Sequence, residues 1–253
     1  LNLFSSLNTH NMFPLKDSIP HRTTPFVNYF LIILNVLIFF YEASLPPLVL
    51  EHLFFEYGLV PARYTYPFWA VYMGLSPHNY LPFLTNMFLH GSWLHLIFNM
   101  WALYIFGDNV EDRMGHLRYL IFYLLCGLGA NLCHFYLNYN STIPTVGASG
   151  AIAGIMGAYL VLFPHSRIIT LIPLFFIPYF IEIPAIFYLT GWFISQLFSG
   201  VFSLTSEQFS SNIAFFAHIG GFVVGILLLP LFKNKNYRPW YADEYYFSNF
   251  FKE

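Results

Sequence analysis

Residues 145–163 read TVGASGAIAGIMGAYLVLF and place Ser149 among small residues at the start of an apolar run. A second apolar stretch, residues 213–232, reads IAFFAHIGGFVVGILLLPLF and carries His218 near its start. Hydrocarbon excludes polar side chains unless they have partners or a function. A hydroxyl and an imidazole at the mouths of two apolar helices therefore suggest a nucleophile and its general base.

The composition is that of an integral membrane protein. The 253 residues are 57% hydrophobic and 9% charged, whereas a soluble domain carries about 25% charged residues. The formal net charge of −2 provides no basic face for nucleic acid, so we expect no nucleic-acid partner. Cys126 and Cys133 lie seven residues apart on one apolar run, too far to form a disulfide within a helix, and are interpreted as packing residues.

Six apolar runs have lengths close to a membrane span, which needs roughly 17–25 residues. They are residues 26–41, 93–107, 119–139, 148–163, 185–202 and 213–232. The sequence thus predicts an all-α, polytopic membrane protein with a bundle of six transmembrane helices. Residues 43–92, rich in proline, are predicted to form an ordered loop partly in the interface. Residues 168–180 are too few to span and are interrupted by prolines, so they are predicted to form an interfacial hairpin or loop.

The basic residues predict the orientation of the spans. Six spans with a cytoplasmic N-terminus leave only Arg63 on the outer side, as the positive-inside rule expects. The basic residues then on the cytoplasmic side are Lys16, Arg22, Arg113, Arg118, Arg167, Lys233, Lys235, Arg238 and Lys252. We expect a multi-pass protein of the plasma (inner) membrane with both termini cytoplasmic. Residues 1–25 are predicted to form an N-terminal cytoplasmic segment, in which 1–11 are upstream sequence or an extension. Residues 26–232 are predicted to form the membrane domain, and residues 233–253 are predicted to form a cytoplasmic tail.

Four polar side chains are predicted to meet at one depth. His95 and Asn99 are four residues apart and share a helix face at the outer end of their span. In this topology they lie level with Ser149 and His218. An acyl-transfer site needs a base for the nucleophile and hydrogen-bond donors for the oxyanion. His218 is the candidate base, and the donors are the Asn99 amide, the His95 imidazole and the backbone N–H of Ser149. Because these spans hold no acid at that depth, a Ser–His dyad is favoured over a triad.

Small residues indicate that the two site helices touch. Gly150 and Gly154 are four residues apart on one span, as are Gly221 and Gly225 on the other. Such spacing lets helix backbones approach closely. A serine hydroxyl must come within about 2.6–3.2 Å of its base, which bulky residues here would prevent.

Each feature alone has a simpler interpretation. A serine in a Gly/Ala-rich span is usually a packing residue, and an intramembrane histidine can bond a carbonyl. His90, His95 and His218 could instead bind a metal. No carboxylate or thiolate joins them in the sequence, so we expect neither a metal nor a cofactor. The coincidence of four polar groups at one depth favours catalysis.

These residues resemble the motifs of the rhomboid family of intramembrane serine proteases. Gly147-Ala148-Ser149-Gly150 is similar to the family's GxSG nucleophile motif, and Ala217-His218-Ile219-Gly220-Gly221 resembles its AHxxG base motif. His95 and Asn99 match its HxxxN oxyanion motif. The motifs occur in the family's order, and the resemblance covers about residues 12–235.

The resemblance extends to supporting positions. His90 lies where the family has another histidine, and Glu111-Asp112-Arg113 is similar to the family's ExR element. Supporting roles at the site are thus expected for His90, Gly147, Gly150, Gly154, Gly221 and Gly225. The resemblance implies a Ser149–His218 dyad in a water-filled cavity open to the outside. It also implies an endopeptidase that cuts transmembrane segments of other proteins in the bilayer, with span five and residues 203–212 controlling access.

Two positions depart from the family pattern. Many members carry a Trp-Arg pair in the first loop, where this chain has Leu81-Pro82, so the loop must be anchored otherwise. Many members also carry an aromatic residue four positions after the nucleophile, stacked on the base. Here that position is Ala153, so another group must orient His218.

Two other function classes are open to a polytopic membrane protein with these motifs. An inactive rhomboid-like protein would bind membrane proteins without cleaving them, and the intact Ser149 and His218 argue against it. A transporter or channel would show charged residues in its spans or inverted repeats, and neither is visible in the sequence.

Overall fold

The computed structural model describes residues 13–174, 177–205 and 214–234. The longer helices in these ranges are α1 (Phe26–Ala43), α6 (Trp93–Met114), α7 (His116–Leu137), α8 (Ser149–Leu162), α9 (Ala185–Thr205) and α10 (Phe215–Phe232). Between α1 and α6 lie α2 (Pro47–Tyr57), α3 (Ala62–Thr65), α4 (Pro67–Tyr72), α5 (Pro82–Thr85) and a 3₁₀ turn (Asn86–Phe88). The strands are β1 (Phe13–Asp17), β2 (Arg167–Leu174) and β3 (Ile177–Pro184).

The predicted fold class is confirmed: the chain is mostly helical and has membrane-spanning helices. In the described ranges, α1, α7, α9 over Ala185–Phe202 and α10 are long and apolar enough to cross a bilayer. Helix α8 is apolar but has only 14 residues, about 21 Å, against a hydrocarbon core of about 30 Å. Helix α6 carries Asp108, Glu111, Asp112 and Arg113 near its end. The count of six spans therefore stays a prediction.

Helix α8 occupies the centre of the bundle. Every residue of α8 from Gly150 to Tyr159 is buried, and the helix packs against α6, α7 and α10. A Cβ on Gly221 would overlap the carbonyl oxygen of Gly150, and one on Gly225 would overlap that of Gly154. Helices α8 and α10 thus meet backbone to backbone, because no side chain separates them.

The two cysteines face this central packing. Both are free thiols. Cys126 lies against Gly154, and Cys133 lies against Gly220. Their positions agree with their interpretation as packing residues.

A buried arginine anchors the loop between α1 and α6. The Arg63 side chain is fully buried and donates from Nε to the Ser76 carbonyl at 2.8 Å. Its Nη1 donates to the Glu56 carbonyl at 2.8 Å, and its Nη2 to Glu56 Oε1 at 3.1 Å. Asn79 donates to the same carboxylate oxygen at 3.1 Å. This network supplies the loop anchor that is missing at Leu81-Pro82.

A three-stranded antiparallel sheet in the order β1-β2-β3 adds to the helical bundle. Strands β2 and β3 form the hairpin expected between residues 168 and 180. No pattern in the sequence indicates strand β1, which pairs with β2 across about 150 residues of chain. Trp101 on α6 donates from its ring to the Pro14 carbonyl, so β1 also lies against the membrane bundle. The predicted tail from residue 235 onward lies outside the described residues.

The Glu111 side chain joins α1 to α6 at the end opposite the site. The buried Glu111 carboxylate accepts the backbone N–H groups of Val27 and Asn28, at 3.0 and 2.7 Å, in the first turn of α1. A negative charge at a helix N-terminus is favourable because it offsets the helix dipole. The Asn28 side chain then accepts a hydrogen bond from Tyr119 on α7 at 2.8 Å. Glu111 of the ExR element and the hydrogen bond between Asn28 and Tyr119 thus hold α1, α6 and α7 together.

Candidate active site

The loop before α8 presents Ser149 at the first position of the helix. Gly147 has φ +132°, a conformation that residues with a Cβ rarely adopt. A Cβ at this position would also lie 2.6 Å from His95 Nε2. The Gly147 N–H donates to the Asn86 carbonyl at 2.8 Å. Position 147 therefore requires glycine, both for its φ angle and for the space beside His95, and the hydrogen bond to Asn86 holds its backbone in place.

Ser149 and His218 form a hydrogen-bonded pair between α8 and α10. His218 lies in the first turn of α10, and its Nε2 is 2.8 Å from Ser149 Oγ. This distance suits a nucleophile and its base. Both residues are only partly buried. The glycine contact between α8 and α10 makes the short distance possible.

His95 and Asn99 on α6 face the same place. A Cβ on Gly147 would lie 2.6 Å from His95 Nε2 and 3.7 Å from Asn99 Nδ2. Asn99 is buried, and its Nδ2 makes no hydrogen bond within the part of the chain that the structure describes. A buried donor without an acceptor costs free energy, so such donors are rare in native proteins. Asn99 therefore offers a free donor beside the Ser149 loop.

His90 packs behind His95. The two rings are 5.2 Å apart between centroids, in an edge-to-face arrangement. The backbone N–H of His90 donates to the Glu42 carboxylate at 3.2 Å. Burial, with a smaller effect of His95, lowers the pKa of His90 to about 3, so the ring is neutral at physiological pH. Glu42 was missed from the sequence, although an acid at the end of an apolar helix could have drawn attention to it.

Two residues of α9 contact the His218 ring, where the family pattern would place an aromatic residue of α8. Gln196 Oε1 is 2.8 Å from His218 Nδ1. The Trp192 ring lies 5.9 Å from the imidazole, with 38° between the planes. Ala153 is fully buried in the core. Sequence reasoning missed Gln196, although it is the only amide in the apolar run of α9.

A pair of amides holds the loop that carries Gly147. Asn86 and Asn131 are both buried and donate to each other's side-chain oxygens at 2.9 and 2.8 Å. Asn131 also donates to the Phe83 carbonyl at 2.7 Å. Because the Asn86 carbonyl accepts from Gly147, this pair connects α7 to the loop that leads into Ser149.

Two further features considered from the sequence are a metal site and an access loop. The described residues contain no group of three or more His, Cys, Asp or Glu side chains placed to hold a metal ion, so the metal alternative gains no support. Within the predicted access loop, residues 206–212 lie outside the described ranges, and residues 203–205 end α9.

Comparison with known proteins points to one family. A family model described as the Rhomboid domain matches residues 77–235. The chain is 28% identical over 178 residues to the putative rhomboid protease YdcA of Bacillus subtilis, covering 66% of this chain and 75% of that protein. It is 42% identical over 77 residues to the rhomboid protease GluP of Bacillus subtilis, covering 30% of this chain and 15% of that protein.

Other relatives are from plants. The chain is 40% identical over 81 residues to the chloroplastic rhomboid-like protein 11 of Arabidopsis thaliana, covering 31% of this chain and 29% of that protein. The chain spans less than a third of the length of several curated relatives that it matches. The family model covers more than half of the chain and includes α6, α8, α9 and α10, which carry His95, Asn99, Ser149, Gln196 and His218. This chain is therefore an integral membrane protein of the rhomboid family.

Proposed function

We propose that this protein is an intramembrane serine endopeptidase with a Ser149–His218 dyad. The observation that carries the proposal is the 2.8 Å contact between Ser149 Oγ and His218 Nε2. Two apolar helices meet there through glycines, and both side chains remain partly exposed. Several relatives are named as rhomboid proteases, which supports the same chemistry.

The reaction follows from the positions of these groups. His218 Nε2 accepts the proton of Ser149 Oγ as the oxygen attacks the scissile carbonyl. Asn99 Nδ2, the His95 ring and the backbone N–H of Ser149 donate to the oxyanion that develops. His218 then gives its proton to the leaving amine. Water, activated by the same imidazole, hydrolyses the acyl-enzyme.

The substrates are membrane-spanning segments of other proteins. A regular helix shields its carbonyls with its own hydrogen bonds, so the segment must unwind to reach Ser149. We place the dyad near the outer surface, with both termini cytoplasmic, because nearly all basic residues then fall on the cytoplasmic side. We propose the plasma membrane as the location. The rhomboid family also has members named as chloroplastic or mitochondrial, so this choice rests on the sequence of this chain alone.

Labelling with a fluorophosphonate tests the proposal, combined with cleavage of a transmembrane substrate in liposomes. The wild type should be labelled and should cleave. Ser149→Ala should do neither and should stay folded, since it removes one hydroxyl. A folded wild type that binds transmembrane segments but is neither labelled nor active would instead support the inactive rhomboid-like alternative.

A further inference from the structure

A chain of polar contacts on α9 leads to His218. The Ser195 hydroxyl lies 2.6 Å from the Trp192 carbonyl. The Gln196 amide nitrogen lies 3.2 Å from the same Ser195 oxygen. On its other side, Gln196 Oε1 lies 2.8 Å from His218 Nδ1. These groups are close in space although α9 is otherwise mostly apolar.

The direction of each hydrogen bond in this series of contacts can be assigned by starting at the Trp192 carbonyl. A carbonyl only accepts, so the Ser195 hydroxyl donates to Trp192 and its oxygen accepts from the Gln196 NH₂ group. The Gln196 carbonyl oxygen must then face His218, and it accepts only from a protonated Nδ1. In a neutral imidazole with a proton on Nδ1, Nε2 holds a lone pair. That lone pair faces Ser149 Oγ at 2.8 Å.

We propose that Gln196 is the positioning residue of the catalytic base: it selects the His218 tautomer that can deprotonate Ser149, and it holds the ring in plane with that bond. The proposal rests on the proposed function. Gln196 here takes the part that a carboxylate plays in a Ser-His-Asp triad, where the third member holds the tautomer and the orientation of the histidine. A neutral amide does so without a charge inside the membrane, where a charge is costly.

The site needs such a residue because α8 cannot supply one. Ala153, one turn after Ser149, has no atom beyond Cβ that could contact the imidazole. The contacts with His218 come instead from α9, with Trp192 on one side of the ring and Gln196 at Nδ1. The alignment of the base therefore depends on α9.

Three variants of the full-length protein test the assignment, with the rate of fluorophosphonate labelling measured across pH in detergent micelles. Gln196→Met keeps the side-chain length but removes the acceptor. Gln196→Glu keeps the acceptor and adds a charge. Ser199→Ala, one turn further on α9 and also half-buried, is the matched control. Thermal unfolding of each variant is measured in parallel.

We expect Gln196→Met to be labelled about tenfold more slowly at pH 8, the factor that one ordinary hydrogen bond contributes. Its acidic limb should move to lower pH, because the imidazolium loses an acceptor. Gln196→Glu should keep a rate close to wild type, and its acidic limb should move to higher pH, because a carboxylate stabilises the imidazolium. Ser199→Ala should match the wild type.

Several results would overturn the assignment. One is a Gln196→Met variant labelled at the wild-type rate with an unchanged pH profile. Another is an equal loss in Gln196→Met and Ser199→Ala, which would indicate a general disturbance of α9. If Gln196→Met does not fold, the pH profile of Gln196→Glu decides, and an unshifted limb contradicts the proposal. Failure of the proposed function itself looks different: the wild type is unlabelled, or Ser149→Ala is labelled as fast.

Discussion

Replacing Gly221 by alanine should separate Ser149 from His218. The added Cβ would overlap the carbonyl oxygen of Gly150, a backbone atom that cannot rotate away. Relief of the overlap requires α8 and α10 to move apart by about 1 Å or more, since ordinary contacts of a methyl group begin at about 3.5 Å. A shift of that size takes the 2.8 Å contact between Ser149 and His218 beyond hydrogen-bond range.

The size of the effect follows from this displacement. A misplacement of about 1 Å at a catalytic group can cost about 10²-fold in rate. Overpacking of a tight core costs about 1–3 kcal/mol in the free energy of unfolding. Gly221→Ala should therefore reduce the rate of cleavage in liposomes by about 10²-fold and lower the melting temperature measurably. Fluorophosphonate labelling should fall in parallel, because both reactions need an activated Ser149.

Two alanine variants serve as controls. Gly225→Ala overlaps Gly154, about one turn deeper in the same contact, and should cost similar stability with a smaller loss of rate. Gly191 on α9 has open space around the position of a Cβ, so Gly191→Ala should keep both activity and stability. A Gly221→Ala variant with wild-type labelling and melting temperature would show that the glycine contact does not set the distance between Ser149 and His218.

Further predictions concern the other site residues, the sheet and the substrate. His218→Ala should lose both cleavage and labelling, whereas His95→Ala and Asn99→Ala should each lose at most about 10²–10³ in rate; a folded Asn99→Ala as inactive as His218→Ala would contradict a role in the oxyanion hole alone. Burial raises the pKa of Asp17 from 3.8 to about 7, so its contribution to stability is complete below about pH 4 and is lost as pH rises through 7. Asp17→Asn should remove this pH-dependent loss of stability, so the variant should melt at a higher temperature than the wild type at pH 8 and at nearly the same temperature at pH 4. Equal pH dependence of the two melting temperatures would contradict this role of Asp17. Substrates with Gly or Pro in the outer third of their span should be cleaved faster in liposomes than Leu-substituted versions, because their helices unwind more easily, and equal rates across such a series would rule out unwinding as the barrier.

The nucleophile and base motifs could be read from the sequence because their chemistry is local. Position 147 requires glycine for its positive φ, and positions 150 and 221 require glycine because two helix backbones touch there. A polar residue in an apolar run indicates a partner or a function, because hydrocarbon disfavours it. Each of these requirements is visible in the sequence as a residue type within a few positions of Ser149 or His218. The helix bounds followed from the apolar runs to within a few residues for the same reason, with the largest difference at α6, whose last turns are charged.

Other parts of the site depend on pairs that no local pattern marks. Gln196 contacts His218 across 22 residues, and Glu42 contacts the His90 backbone across 48. Strand β1 joins the hairpin from the far end of the chain. Pro14 within β1 and the prolines in the hairpin weaken any strand signal in the sequence, since proline cannot donate to a sheet. Such pairings are set by packing, so they could be seen only in three dimensions.

Different contacts set the separation of Ser149 and His218 and the orientation of the His218 ring. The distance depends on the glycine contact between α8 and α10. There the backbones of the two helices touch, so neither an added side chain nor a closer approach can be accommodated. The orientation of His218 depends on Gln196 and Trp192, which lie on α9. Of the four apolar helices that could cross a membrane in the described ranges, α9 has the smallest buried share, 17% against 28–39% for the others. A displacement of α9 would therefore meet the least resistance from packing. It would release the imidazole from its acceptor while Ser149 and His218 stayed at the same separation, so changes on α9 should alter the rate of catalysis more than the stability of the bundle.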